Sequence, residues 1–142
     1  MDVMMERLYD KDTSIAYQYL QELERISEEN DSLYPFLERF YEMISNEKYV
    51  IRVRGFRLFC KQAKWDAQNQ LDERMTSAMV ILNDEKPTAV RQALKALEDV
   101  AKHKPVLANV MREHVRAIDY MQYKDSMQGL IKKDIDRLLA ML

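Results

Sequence analysis

Two stretches of this chain say nearly the same thing one period apart. Ile44, Asn46, Glu47, Val53 and Arg54 are answered by Ile81, Asn83, Asp84, Val90 and Arg91, each 37 positions later. Ile118 continues the first series, and Gly55 and Gly129 lie two such periods apart. A fixed period of roughly 20–50 residues marks an array of similar units, none of which buries its apolar face alone. That constraint comes before any other, because it dictates stacked copies of one small motif.

Composition says which motif. The 142 residues include only two Gly and three Pro. An all-β chain needs more turns than that, whereas long helices joined by tight corners do not. Hydrophobic residues make up 47% and charged residues 32%, the balance of a chain that buries a core and stays in water. One cysteine, Cys60, excludes an internal disulfide framework. No charged-then-apolar leader opens the chain, and its longest aliphatic run, Met79-Val80-Ile81-Leu82, is far too short to span a bilayer. The expected location is the cytoplasm, without a membrane segment.

Caps and prolines predict eight helices. The first covers 2–9. Asp12 or Thr13 caps the second, which runs to Glu29, and Asp31-Ser32 caps the third, with Pro35 in its first turn. The fourth covers 48–64, Asp66 caps the fifth, Pro87 opens the sixth and Pro105 the seventh, and Asp125 or Ser126 caps the eighth. Short connections make sequence neighbours antiparallel. The pairs are 1–30, a capping unit, then 31–65, 66–104 and 105–142, forming one domain over 1–142.

Pairs of this length, with Val-Arg near the start of the second helix, resemble HEAT-like (armadillo-type) repeats, including a small bacterial type sometimes labelled as Suf-related. The resemblance covers roughly residues 31–142 and implies an all-α fold, a right-handed α-solenoid of antiparallel helix pairs. The last unit departs from the pattern: Gln128 replaces the Arg, and Asp134 stands where Leu97 stood. A single Cys cannot build a thiolate cluster site, so no iron–sulfur group or other cofactor is expected.

Charge is unevenly spread. Residues 1–47 carry 4 Lys/Arg against 12 Asp/Glu, residues 48–104 carry 12 against 7, and the remainder 6 against 5. The fourth helix concentrates the positive charge. From Tyr49 to Trp65 it holds Arg52, Arg54, Arg57, Lys61 and Lys64 and no acid. At 100° per residue, Arg54, Arg57, Lys61 and Lys64 fall within an arc of about 80°. Arg91 and Lys95 extend that ridge on the sixth helix. Such a ridge is either a solvated face or a face for an acidic partner. Arg52 points instead into the apolar arc and calls for a carboxylate, Asp84 or Asp66, or for a stem that snorkels to water.

Eleven of the thirteen aromatics fall in the first 65 residues. Exposed Tyr and Trp beside Arg make the chemistry of an interaction hot spot, and Trp65 is the expected anchor. His103 and His114 lack companions at ligand spacing, so no metal site is expected. Gly55 in mid-helix, and Gly129 two periods later, signal close helix approach, and Cys60 reads as core.

The leading functional expectation is a non-catalytic protein-interaction or scaffold module. It would bind an acidic partner segment through Arg54, Arg57, Lys61, Lys64, Trp65, Arg91 and Lys95. The alternative is weak nucleic-acid binding along the same ridge, of the HEAT-like DNA-glycosylase type, with Asp66 the one nameable catalytic carboxylate. About four phosphate contacts fall short of the six to ten of well-fixed DNA binders. The terminal Leu138, Leu139, Met141 and Leu142 form an apolar end that either caps itself or pairs two copies.

Overall fold

The computed structural model describes residues 2–142, with side chains from Met5 onward. Among these residues the fold is entirely helical, with no strand. Eight α-helices follow in order: α1 (Asp2–Arg7), α2 (Thr13–Glu29), α3 (Leu37–Met43), α4 (Tyr49–Lys61), α5 (Gln70–Ala78), α6 (Pro87–His103), α7 (Ala108–Arg116) and α8 (Asp125–Met141).

The even-numbered helices are the long ones, and they lie side by side in chain order, α2 on α4, α4 on α6 and α6 on α8. The odd-numbered helices are short. Helix α1 packs on α2, α3 on α4 and α7 on α8. Pro35 and Pro105 explain part of the difference. Each opens a 3₁₀ turn, Tyr34–Phe36 and Pro105–Leu107, before α3 and α7 begin.

The starts of the long helices repeat one device. Asp10, Asn46 and Asp84 each accept, through Oδ1, the backbone N–H two residues on, at 2.9 Å. This side-chain turn reverses the chain just ahead of α2, α4 and α6. Asp12 then caps α2 by accepting from Ser14 and Ile15. The expected cap of the fifth helix is displaced. Helix α5 begins at Gln70, after Asn69 adopts a left-handed conformation (φ 60°). Asp66 still serves that helix from upstream, its two carboxylate oxygens each accepting at 3.0 Å from the Gln70 and Leu71 N–H groups. Lys124, not Asp125 or Ser126, takes the position before α8.

The core is one contiguous cluster running from Met5 to Leu138. Phe40, Phe56 and Phe59 fill its N-terminal half, and Val90, Ala93, Leu97 and Met111 its C-terminal half. The periodic isoleucines, Ile44, Ile81 and Ile118, are all buried. Gly55 lets α4 touch α3: a Cβ there would sit 2.4 Å from Met43 Cβ and 2.7 Å from the Phe40 carbonyl oxygen. Gly129 is not its equivalent, since a Cβ added there meets nothing within 4 Å. Leu130, one period after the buried Ala93 and two after the buried Phe56, is 39% exposed. Both departures lie on α8, at positions left open among the described residues.

A half-buried cation and a buried one, Arg52 and Lys104, join successive units. Arg52 Nε and Nη2 donate to the two Asp84 oxygens at 2.7 and 3.0 Å, while Nη1 donates to the carbonyls of Asn46 and Glu47. Asp84, rather than Asp66, is therefore its partner. Lys104 Nζ lies 2.9 Å from both Asp66 and Asp72 and donates to the Asp66 carbonyl and Asn69 Oδ1.

Candidate binding face

Helix α4 lies between α2 and α6, so its basic arc meets what those neighbours present. The structure divides the ridge into unlike parts. Arg57 grips Glu24 of α2 with two bonds of 2.8 and 3.0 Å and reaches Gln92 Oε1 of α6 at 3.1 Å. Its guanidinium also stands 5.7 Å from the Tyr17 ring centroid. Lys61 lies between Glu28 at 2.5 Å and Asp99 at 3.3 Å. Burial tends to lower the Lys61 pKa, but the two carboxylates outweigh it and the net shift is upward. On α6, Arg91 bonds Asp134 of α8 at 2.6 Å, which explains the acid where the repeat had a leucine. Lys95 is 73% exposed at its side chain, with Glu98 at 3.8 Å.

Lys64 and Trp65 sit just past α4, in the 3₁₀ turn Gln62–Trp65. Lys64 donates to the Glu28 carbonyl at 2.7 Å and stands 5.0 Å from the Trp65 ring centroid. Trp65 Nε1 donates to the Ser27 carbonyl at 2.6 Å. Both side chains thus staple the end of α4 to the end of α2. One edge of the half-buried indole borders a shallow depression of about 530 Å³, shared with His103, Lys104 and the exposed Val106.

Arg54 is the exception. It is only 7% exposed, yet no carboxylate lies within ion-pair distance of it among the described residues. One Nη donates to the Leu8 carbonyl at 2.7 Å. Burial lowers its pKa and the charge of Asp10 raises it, with burial prevailing.

Two clefts open along this face. One, of about 400 Å³, lies between the N-terminal parts of α2, α4 and α6, with Arg54 and Arg57 in its wall beside Tyr17, Tyr49, Thr88 and Gln92. The other, of about 360 Å³, continues toward Lys61, Lys95 and Asp99. Arg57 and Gln92 border both, so the two clefts adjoin along α4, with the Arg57 bridge from Glu24 to Gln92 at their boundary.

Comparisons with protein-family models, curated proteins and solved structures find no match.

The clefts therefore rest on their own residues. Sequence reasoning found the cations but not the acids that meet them: Glu24, Glu28, Asp99 and Asp134. The available signal was the acidic excess of the first 47 residues, half of a complementary pair within one chain. Tyr17, Thr88 and Gln92 carried no signal, being common residues on exposed helical positions. At the C-terminus, Leu138 is buried, Leu139 and Leu142 pack on the core, and only Met141 of the apolar end is exposed. No helix among the described residues is long and apolar enough to cross a membrane.

Proposed function

We propose that this chain is a non-catalytic interaction module, a right-handed α-solenoid of HEAT-like helix pairs, which holds an acidic partner segment in the groove along α4. The observation that carries the reading is the pair of adjoining clefts along α4, one bordered by Arg54, Tyr17 and Tyr49, both by Arg57 and Gln92. Helices that are already packed hold these groups in place, so little ordering entropy is lost when a segment docks. Tyr17 is 48% exposed and supplies contact area, and Lys95, exposed at its side chain, supplies charge at the rim. The side-by-side order of α2, α4, α6 and α8, and the turn repeated at Asp10, Asn46 and Asp84, support the solenoid reading.

The pairing of the ridge weighs against nucleic acid. Arg57, Lys61 and Arg91 each face a carboxylate that a phosphate backbone would have to displace. Asp66 is engaged by two backbone N–H groups, Tyr34 and Lys104, which supports a structural role over a catalytic one. The same reading puts the protein in the cytoplasm.

Selection from a displayed library of random peptides tests it. Peptides rich in Asp and Glu should be enriched over an unrelated helical protein, and their binding should fall at least about tenfold in a Tyr17→Ala, Lys95→Glu variant that keeps its helical signal. An absence of enrichment, or peptides indifferent to that double change, sinks the proposal.

A further inference from the structure

The cleft at the N-terminal end of α4 holds a charge that the fold leaves uncompensated. Every other cation of the ridge meets a side-chain carboxylate or, for Lys64, a carbonyl and a ring. Arg54 has the Leu8 carbonyl and nothing else among the described residues. A guanidinium carries five N–H donors in a planar fork. Among the described residues, Arg54 has no polar side-chain atom that is both sealed from solvent and without a partner. The unbonded Arg54 donors therefore keep contact with solvent, and Arg54 lines the cleft.

The cleft's other walls define what fits. Leu20, Val50 and Val53 give an apolar floor, and the rings of Tyr17 and Tyr49 stand beside it. Thr88 and Gln92 supply polar groups at the rim. A volume of about 400 Å³ lies in the lower part of the range for small-ligand sites. Charge sets the valence. One guanidinium is uncompensated, Arg57 is already held by Glu24, and Asp10 is close enough to act on Arg54 without pairing with it. A doubly charged phosphate would bring one negative charge too many into that field. A single carboxylate matches the fork geometry of guanidinium and supplies one charge.

We propose that the Arg54 cleft is a binding site for a monocarboxylate on a branched or aromatic apolar body, the carboxylate taking the free Arg54 donors and the body lying on Leu20, Val50 and Val53. This deepens the groove reading and rests on the same geometry. The carboxylate has two possible sources: a free small acid, or the terminal residue of a partner segment.

Nitrogen-15 NMR of the whole protein tests it through the Arg54 Nε–Hε signal, identified by its disappearance in Arg54→Met. Benzoate and 4-methylpentanoate should shift that signal and the Thr88 amide saturably. Methyl benzoate, which keeps the body and loses the charge, should bind at least about tenfold more weakly. A hexapeptide ending in free leucine, run against its amidated form, reports whether the carboxylate arrives on a chain. Binding of the free acids alone assigns a small-molecule site, and binding of the free-ended peptide assigns a partner's terminus. No saturable shift at Arg54 with any of these, equal binding of methyl benzoate, or tighter binding of inorganic phosphate overturns the proposal. The wild-type titration decides even where Arg54→Met fails to fold, and Gln92→Leu with Thr88→Val gives a second perturbation of the rim. Acidic peptides that bind while Arg54 stays silent would remove this site and leave the groove reading standing. Free acids that bind while no peptide is selected would do the reverse.

Discussion

The same substitution at the two glycines should act with opposite sign. Adding a Cβ at Gly55 puts a carbon 2.4 Å from Met43 Cβ, where carbons prefer about 3.5–4.0 Å, and 2.7 Å from the Phe40 carbonyl oxygen. Neither obstacle can rotate away, because one is a backbone atom and the other is bonded to the backbone. Helices α3 and α4 must separate by about 1 Å, opening the packing around Phe40, Phe56 and Phe59. Overpacking of this kind costs about 1–3 kcal/mol, and a contact fixed to backbone belongs at the upper end. The better helix propensity of Ala returns about 1 kcal/mol, so Gly55→Ala should destabilise by about 2 kcal/mol. At Gly129 nothing lies within 4 Å, and only the propensity remains. Gly129→Ala should stabilise by about 1 kcal/mol. At about 2.1 cal/mol/K per residue the unfolding entropy is about 0.3 kcal/mol/K, so the two variants should melt about 10 °C apart, on either side of wild type. Urea denaturation followed by circular dichroism, with Trp65 fluorescence as a second probe, measures both. A Gly55→Ala protein as stable as wild type would refute the close approach, and a destabilised Gly129→Ala would refute the open outer face of α8.

Three further outcomes follow from the buried polar groups. Lys104→Met should cost about 3–5 kcal/mol in urea denaturation, because it leaves Asp66 and Asp72 facing each other without a cation. Burial tends to lower the Lys104 pKa, but Asp66 and Asp72 raise it further, so the folded value stands above the unfolded one. Its contribution is then complete below about pH 10.4 and is lost as pH rises through the folded value. The Tyr34 hydroxyl, raised by burial and by donating to Asp66, acts in the same direction. Wild type should therefore lose melting temperature in strong alkali more steeply than Lys104→Met does, and parallel curves would contradict the assignment. Arg52→Ala should cost about 3 kcal/mol, since it strands the Asp84 carboxylate; Arg52→Lys, unable to make the bidentate bond and both carbonyl bonds together, should recover only part of this. Cys60 is fully buried and its thiol is pushed well above its ordinary pKa, chiefly by burial. It should ignore disulfide reagents in the native protein and react at the rate of unfolding; prompt stoichiometric labelling would refute its placement.

The sequence determined the elements. Eight helices, their order, the buried isoleucines at 44, 81 and 118, and the close approach at Gly55 all come from local rules: apolar spacing, caps, prolines and the scarcity of glycine. These depend on residues within a turn or two of one another, so periodicity exposes them. The partners of charged groups were not legible in this way. Arg54, Arg57 and Lys61 share one arc of one helix, and by local rules they are equivalent. Tertiary structure separated them. Helix α2 brought Glu24 and Glu28 to the second and third, α6 brought Asp99 to the third, and the first received only the Leu8 carbonyl. Coulomb interaction depends on distance through space, and residues 33 positions apart on adjacent helices can lie closer than neighbours on opposite faces of one helix. The helical periodicity of the chain thus set where the cations point, and the packing of α2 and α6 against α4 decided which of them kept a free charge.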